Sequence, residues 1–241
     1  MATKEIQSLT HPMVKYARSL RTSKKERREK GQVLIAGTKM AHEVGDIDSL
    51  FAEKGQPLPK AKETYLVTPE ILKKITGLAS PEPLAAIVSL PKEDTLMGKS
   101  RILVLDGISD PGNLGTLIRT ALALGWEGVF LTENCADLFN DKALRSAKGA
   151  TFRLPYRQGS REELVAFLKG EKRSVLVADM HGPPLPEISS SSPLALILGS
   201  EAHGASPLLK AEFPLASIPI EGIESLNVAA AGAIFMYTLG I

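Results

Sequence analysis

Apolar and polar positions along the chain follow two regimes that change near residue 91. Beyond residue 100, continuous apolar runs occupy 101–106, 128–132, 174–178, 194–198 and 217–220, too short for helices and lacking the alternation of a half-exposed strand. Helical patterns over 113–124, 140–148, 160–169, 206–212 and 227–239 separate most of them. Apolar strands alternating with helices predict a parallel sheet covered on both faces. Before residue 91 the elements are shorter. Thr10-His11-Pro12 opens a helix whose face carries Met13, Tyr16, Ala17 and Leu20. Ser23 and Glu26 form a capping-box pattern for a second, charged helix closed by Gly31. A strand at 32–36, a helix at 40–44, a strand at 65–68, a helix at 69–76 begun by Thr68-Pro69, and a strand at 85–90 complete a small α/β unit. Residues 91–100, PKEDTLMGKS, are polar and turn-rich and read as a linker. The expected division is a small α/β domain over 1–95 and a larger α/β domain over 99–241. The serines 189–192, preceded by Pro183, Pro184 and Pro186, read as a surface loop without chemistry.

Composition changes this picture little. The chain has 241 residues, 44% hydrophobic and 23% charged, as in an ordinary globular protein. No apolar run reaches the roughly 18 to 20 residues of a membrane span, and MATKEIQSLTHP lacks the apolar core of a secretory signal. The single cysteine, Cys135, excludes an internal disulfide and a thiolate metal cluster. A cytoplasmic, membrane-free protein without a metal site is expected. Charge matters more. Residues 1–30 carry nine Lys or Arg against three Glu, whereas the remainder has an acidic excess. Arg18, Arg21, Lys24, Lys25, Arg27 and Arg28, with Lys30, form a cluster suited to a phosphate backbone, or equally a solvated helix surface.

Three loops follow the carboxyl ends of predicted strands, where ligands of parallel sheets bind. In 106–119, DGISDPGNLGTLIR, one proline and three glycines shape a tight strand-to-helix turn, and Asn113 stands where an N-cap would. Arg119 lies among apolar and small residues and must find an anion, reach solvent, or pair with a buried acid such as Asp106. In 196–204, LILGSEAHG, Gly199 permits close backbone approach, and Glu201 stands near a helix start as a cap or a functional carboxylate. In 218–232, Ser225 and Asn227 are both possible caps, and Ala229–Gly232 offers a face almost without side chains, suited to close packing within the fold or against a second subunit.

These three segments resemble the motifs of the SpoU (TrmH-type) branch of the SPOUT methyltransferases, which methylate ribose 2′-hydroxyls of rRNA or tRNA. DPGNLG through Arg119-Thr120-Ala121 is similar to the first motif, 196–204 to the second with Ala202 in place of a frequent glycine, and 218–231 to the third. Arg145 to Gly149 also resembles a family segment, and the N-terminal region loosely resembles a small RNA-binding domain. The resemblance implies a parallel-sheet domain with a C-terminal trefoil knot and a homodimer. It implies S-adenosylmethionine as methyl donor, held largely by backbone near Leu198, Gly199, Ile218 and Leu226, with S-adenosylhomocysteine as product. The catalytic set it implies falls on Asn113, Arg119, Glu201, Ser225 and Asn227, with Arg145 added to the RNA-binding residues. The family mechanism makes the arginine a general base. A guanidinium keeps its proton in water, so the role expected for Arg119 is to clamp a neighbouring phosphate and stabilise a developing alkoxide. Large-subunit rRNA is favoured over tRNA as substrate. A non-catalytic RNA-binding scaffold would have lost Asn113, Arg119 or the Ser-Leu-Asn triplet, all of which are present. A dinucleotide-binding enzyme would need a G-x-G-x-x-G spacing that Gly112 and Gly115 do not supply.

Overall fold

The computed structural model describes residues 3–185 and 192–240, so the predicted serine-rich loop lies outside the described residues except for Ser192. The chain forms two compact units, Met1–Lys92 with Phe139–Gly149, and Glu93–Leu138 with Ala150–Ile241.

The first unit is built from β1 (Thr3–Ile6), α1 (Pro12–Thr22), α2 (Lys24–Lys30), β2 (Gln32–Ala36), α3 (Thr38–Glu43), β3 (Ile47–Ala52), β4 (Ala61–Val67), α4 (Pro69–Thr76) and β5 (Leu84–Ser89). Its sheet has the order β1-β4-β3-β5-β2, with β4 parallel to both neighbours and β5 antiparallel to both of its own. α1 begins with Pro12 in its first turn and buries Val14, Ala17 and Leu20 against Ile71, Leu72 and Ile75 of α4, while Met13 and Tyr16 pack at the margin. Each buried Val, Leu or Ile side chain among these contributes about 1.5 to 3 kcal/mol by leaving water, so α1 is part of this unit's core. The Ser23 hydroxyl accepts from the Glu26 N–H, and α2 ends at Gly31 with φ +62°.

The second unit contains β6 (Arg101–Asp106), α5 (Pro111–Ala123) and β7 (Gly128–Leu131). Next comes α6 (Asp141–Ala147), which packs on β2 and belongs to the first unit. A single 3-10 turn (Ala150–Phe152), β8 (Tyr156–Gln158), α7 (Arg161–Gly170), β9 (Ser174–Ala178), β10 (Leu194–Gly199), α8 (Pro207–Glu212), β11 (Leu215–Ala216) and α9 (Val228–Thr238) follow. All six strands are parallel, in the order β11-β9-β10-β6-β7-β8. β6 and β10 pair from Arg101 with Leu194 to Asp106 with Gly199, so their carboxyl ends lie side by side at the point where strand order reverses.

Four expected elements shift by two or more residues: the helix expected at 40–44 is Thr38–Glu43, the strand expected at 65–68 is Ala61–Val67, and two more lie near the carboxyl ends of the parallel sheet. The last strand is Leu215–Ala216 rather than 217–220, because beyond Ser217, which bridges only to Pro184, Pro219 has no N–H to donate to a ladder. α5 starts at Pro111 rather than 113. α9 lies on α5 and β10 through Gly232, where an added Cβ would come within 2.4 Å of Leu117 Cδ2 and 2.7 Å of Leu198 Cδ1. The small-residue face thus serves packing within the fold on that side.

Candidate active site

The start of α5 sets the geometry. Asp110 is the N-cap, its Oδ1 accepting from the Asn113 N–H at 2.9 Å, with Pro111 in the first turn. The expectation of Asn113 as cap is therefore corrected: a cap at 110 places Asn113 within the helix and releases its side chain. Its Nδ2 donates to Glu201 Oε1 at 2.8 Å, and its Oδ1 accepts from Asn227 Nδ2 at 3.2 Å. A carboxylate can only accept, so the amide orientation is determined. Asn227 in turn caps α9, its Oδ1 accepting from the Ala229 and Ala230 N–H groups at 2.9 and 3.3 Å. One amide thus ties three sequence-distant loops together.

The Glu201 loop is held from both ends. Ser200 and Gly204 exchange backbone hydrogen bonds of 3.0 and 2.9 Å, and Gly204 takes φ +67°. At Gly199 a Cβ would lie 1.8 Å from Ala205 N, so no side chain is possible there. Ala202, in place of a glycine, is not among the described residues with positive φ, and the loop forms without strain at that position.

Behind this loop Asp106 is buried, 2% exposed, and holds three donors: the Thr132 hydroxyl (2.7 Å), Arg161 Nε (2.8 Å) and the Ser206 N–H (2.7 Å). Arg161 occupies the pairing open to Arg119, which instead is exposed on α5 with no hydrogen bond or ion pair among the described residues. Arg161 escaped the sequence reading; the available signal was an arginine directly after the cap Ser160, where the helix dipole disfavours a cation. Nearby, Asp179 bonds Lys210 at 2.5 Å and the His181 N–H at 3.0 Å. Burial alone would push its carboxyl up, but Lys210 and His181 hold it down at about 2.

Asn113, Glu201, Arg161, Ser206 and Lys210 line an open cleft of about 1120 Å³. Ser225 is exposed and makes no hydrogen bond among the described residues, so it stands apart from the Asn113 network. Of the positions expected near the cofactor, Leu198 and Gly199 are buried and Ile218 and Leu226 half-buried. From Ile218 to Leu226 the backbone makes no hydrogen bond within the described residues.

The basic cluster divides. Arg18, Lys24, Lys25 and Arg28 are exposed. Arg21 is half-buried against Gly77, where a Cβ would meet its guanidinium. Arg27 is 4% exposed and donates to the Leu20 and Arg21 carbonyls at 2.7 and 2.9 Å. The expectation of Arg27 as an RNA contact is therefore corrected, because its guanidinium is consumed in closing the end of α1. Arg145 pairs with Asp141 at 2.7 Å, one turn earlier on α6.

The SpoU rRNA methylase family model matches residues 100–237, more than half of the chain. The chain belongs to this family. It is 36% identical over 248 residues to the 23S rRNA (guanosine(2553)-2′-O)-methyltransferase of Bacillus subtilis (strain 168), covering 98% of this chain and 99% of that protein. Among solved structures, the AdoMet-bound rRNA methyltransferase from Sinorhizobium meliloti superposes with a TM-score of 0.87 at 28% identity, covering 98% of this chain and 97% of that one. The SpoU methyltransferase AviRb from Streptomyces viridochromogenes, in complex with AdoMet, shares the fold at 23% identity and a TM-score of 0.83. Both full-length matches span the two units, so the family relationship is not confined to the parallel-sheet unit.

Proposed function

We propose that the chain is an S-adenosylmethionine-dependent RNA methyltransferase that modifies a ribose 2′-hydroxyl of large-subunit rRNA, acting in the cytoplasm as a homodimer. The observation that carries this reading is the Asn113 bridge, which joins Glu201 and Asn227 in one hydrogen-bonded array; further along the same helix Arg119 is exposed and unengaged among the described residues. The donor set suits the cofactor. Free backbone N–H and C=O groups over 218–226 can hold its polar groups, and the half-buried Ile218 and Leu226 offer apolar surface for an adenine ring. S-adenosylmethionine supplies an electrophilic sulfonium methyl when bound. The protein's share of the work is to place the 2′-hydroxyl in line and stabilise the charge that develops as its proton leaves. Asn113, tensioned between Glu201 and Asn227, fixes the loops that frame that position. Arg119 clamps the adjacent phosphate and stabilises the alkoxide, the proton passing to phosphate or water. Exposed Arg18, Lys24, Lys25 and Arg28 supply phosphate contacts in the first unit.

The dimer reading rests on α9, which exposes Ala230, Ile234 and Tyr237 at helical spacing, Ile234 being 42% and Tyr237 60% exposed. Mapping 2′-O-methyl groups in total RNA from a deletion strain and its complemented parent tests the activity. One large-subunit rRNA site missing in the deletion and restored by wild type, but not by Arg119→Ala, is expected. Identical maps in both strains would remove the reading.

A further inference from the structure

Arg161 is unexplained by the stability of the helix it begins. It follows the N-cap Ser160, and the reciprocal capping box between Ser160 and Glu163 holds the start of α7 without it. A cation at this position faces the positive pole of the helix dipole. What fixes it is Asp106, through one bond from Nε to a buried carboxylate that Thr132 and the Ser206 N–H also hold. Carboxylate pairs of arginine are frequently bidentate, and a guanidinium has five N–H donors. Here only Nε is engaged, and the terminal amino groups have no partner among the described residues. The side chain is 27% exposed and lines the cleft that also holds Asn113 and Glu201. Lys210, the other long cation on that wall, is already taken by Asp179. The result is a guanidinium fork braced from behind, with its charge offset by Asp106, aimed at solvent in a cleft large enough for a nucleotide. Such a fork acts through geometry more than through net charge, and it suits two acceptors side by side.

We propose that Arg161 is an RNA contact, its fork holding a pair of acceptors on the nucleotide seated in this cleft, either two phosphate oxygens or the O6/N7 edge of a guanine. The proposal rests on the RNA methyltransferase reading. The test compares wild type with Arg161→Lys and Arg161→Ala on unmodified large-subunit rRNA transcripts. Lysine keeps a cation beside Asp106 and so preserves the fold while removing the fork. Both variants should raise the RNA KM roughly tenfold, with kcat and S-adenosylmethionine affinity within about twofold of wild type. A phosphate contact lowers the slope of log RNA affinity against log salt by about one in Arg161→Ala, which removes the charge, and leaves it near wild type in Arg161→Lys. A guanine contact leaves the slope intact in Arg161→Ala as well, and transcripts made with 7-deazaguanosine then weaken wild type to the level of Arg161→Lys. An unchanged RNA KM in Arg161→Lys overturns the proposal, as does a parallel loss of cofactor affinity, which would make Arg161 a structural prop. If the wild type methylates no rRNA, the functional reading fails instead. Direct titration of the same transcripts with wild type and Arg161→Lys still decides the role of Arg161.

Discussion

The two ends of the Asn113 amide do different work, donating to Glu201 and accepting from Asn227. Its amide presents donor and acceptor on separate atoms, so it can face both partners at once. Asparagine to alanine removes both bonds and frees two loops without touching the cofactor segment over 218–226. Asparagine to aspartate keeps the shape but sets a carboxylate against Glu201 and replaces attraction by repulsion. Both variants are expected to fold, since the N-cap of α5 is Asp110 and stays intact. Asn113→Ala should lower kcat by about 10- to 100-fold, as loss of one or two positioning hydrogen bonds does, with thermal midpoint close to wild type. Asn113→Asp should be at least as impaired. Single-turnover methylation rates beside thermal melts check both, and wild-type rates in Asn113→Ala would show that the three-loop bridge has no part in catalysis.

At the scale of elements, periodicity revealed what depends on local order and missed what depends on partners. The apolar strands β6, β7, β9 and β10 and their helices are visible in the sequence because burial on both faces leaves unbroken hydrophobic runs. β1 and β8 went unread, since strands of four and three residues become strands only through the neighbours that pair with them, and β3 because Asp48 and Ser49 interrupt its apolar run. The three motif loops were legible as loops. That Asn113 joins them was not, because the pairing depends on where α5 is capped. Arg27 misled for a related reason: a charge run names residue types, and only the packing of α1 against α2 shows which arginine turns inward. The Asp179–Lys210 pair between the end of β9 and α8 was equally invisible, and it carries a pH signature. The Asp179 carboxyl is held at about 2 in the folded chain against an ordinary 3.8. A depressed folded value means stability that is fully present above about pH 4 and is lost as pH falls toward 2. The contribution is about 2 kcal/mol. Asp179→Asn should therefore lower unfolding free energy by roughly that amount at pH 7, with the gap from wild type closing as pH falls below 4. Urea titrations at pH 7, 5 and 3 read this directly, and a gap that is the same at all three would refute it.

At the scale of the whole molecule, the arrangement of charge determines how RNA binding can be probed. Removing the basic N-terminal segment would not isolate its charges, because Val14, Ala17 and Leu20 of α1 sit in the core of the first unit. Deleting residues 1–30 would expose that core and confound binding with unfolding. The exposed cations Arg18, Lys24, Lys25 and Arg28 can instead be changed without disturbing packing, whereas Arg27 must be left in place. Replacing those four with glutamine removes the charges that can release counterions from a phosphate backbone. If all four contact phosphates, the slope of log affinity against log salt falls by about three to four. RNA affinity at low salt should drop by at least roughly tenfold while S-adenosylmethionine affinity holds, because these charges lie in the first unit and the cofactor segment in the second. Arg27→Ala should behave in the opposite way, costing about 1 to 3 kcal/mol of stability by leaving the last carbonyls of α1 unpaired, with the salt slope unchanged. Filter-binding titrations across a salt series, run beside thermal melts, separate the two. A quadruple variant that keeps the wild-type slope would move the RNA footprint away from α1 and α2 altogether.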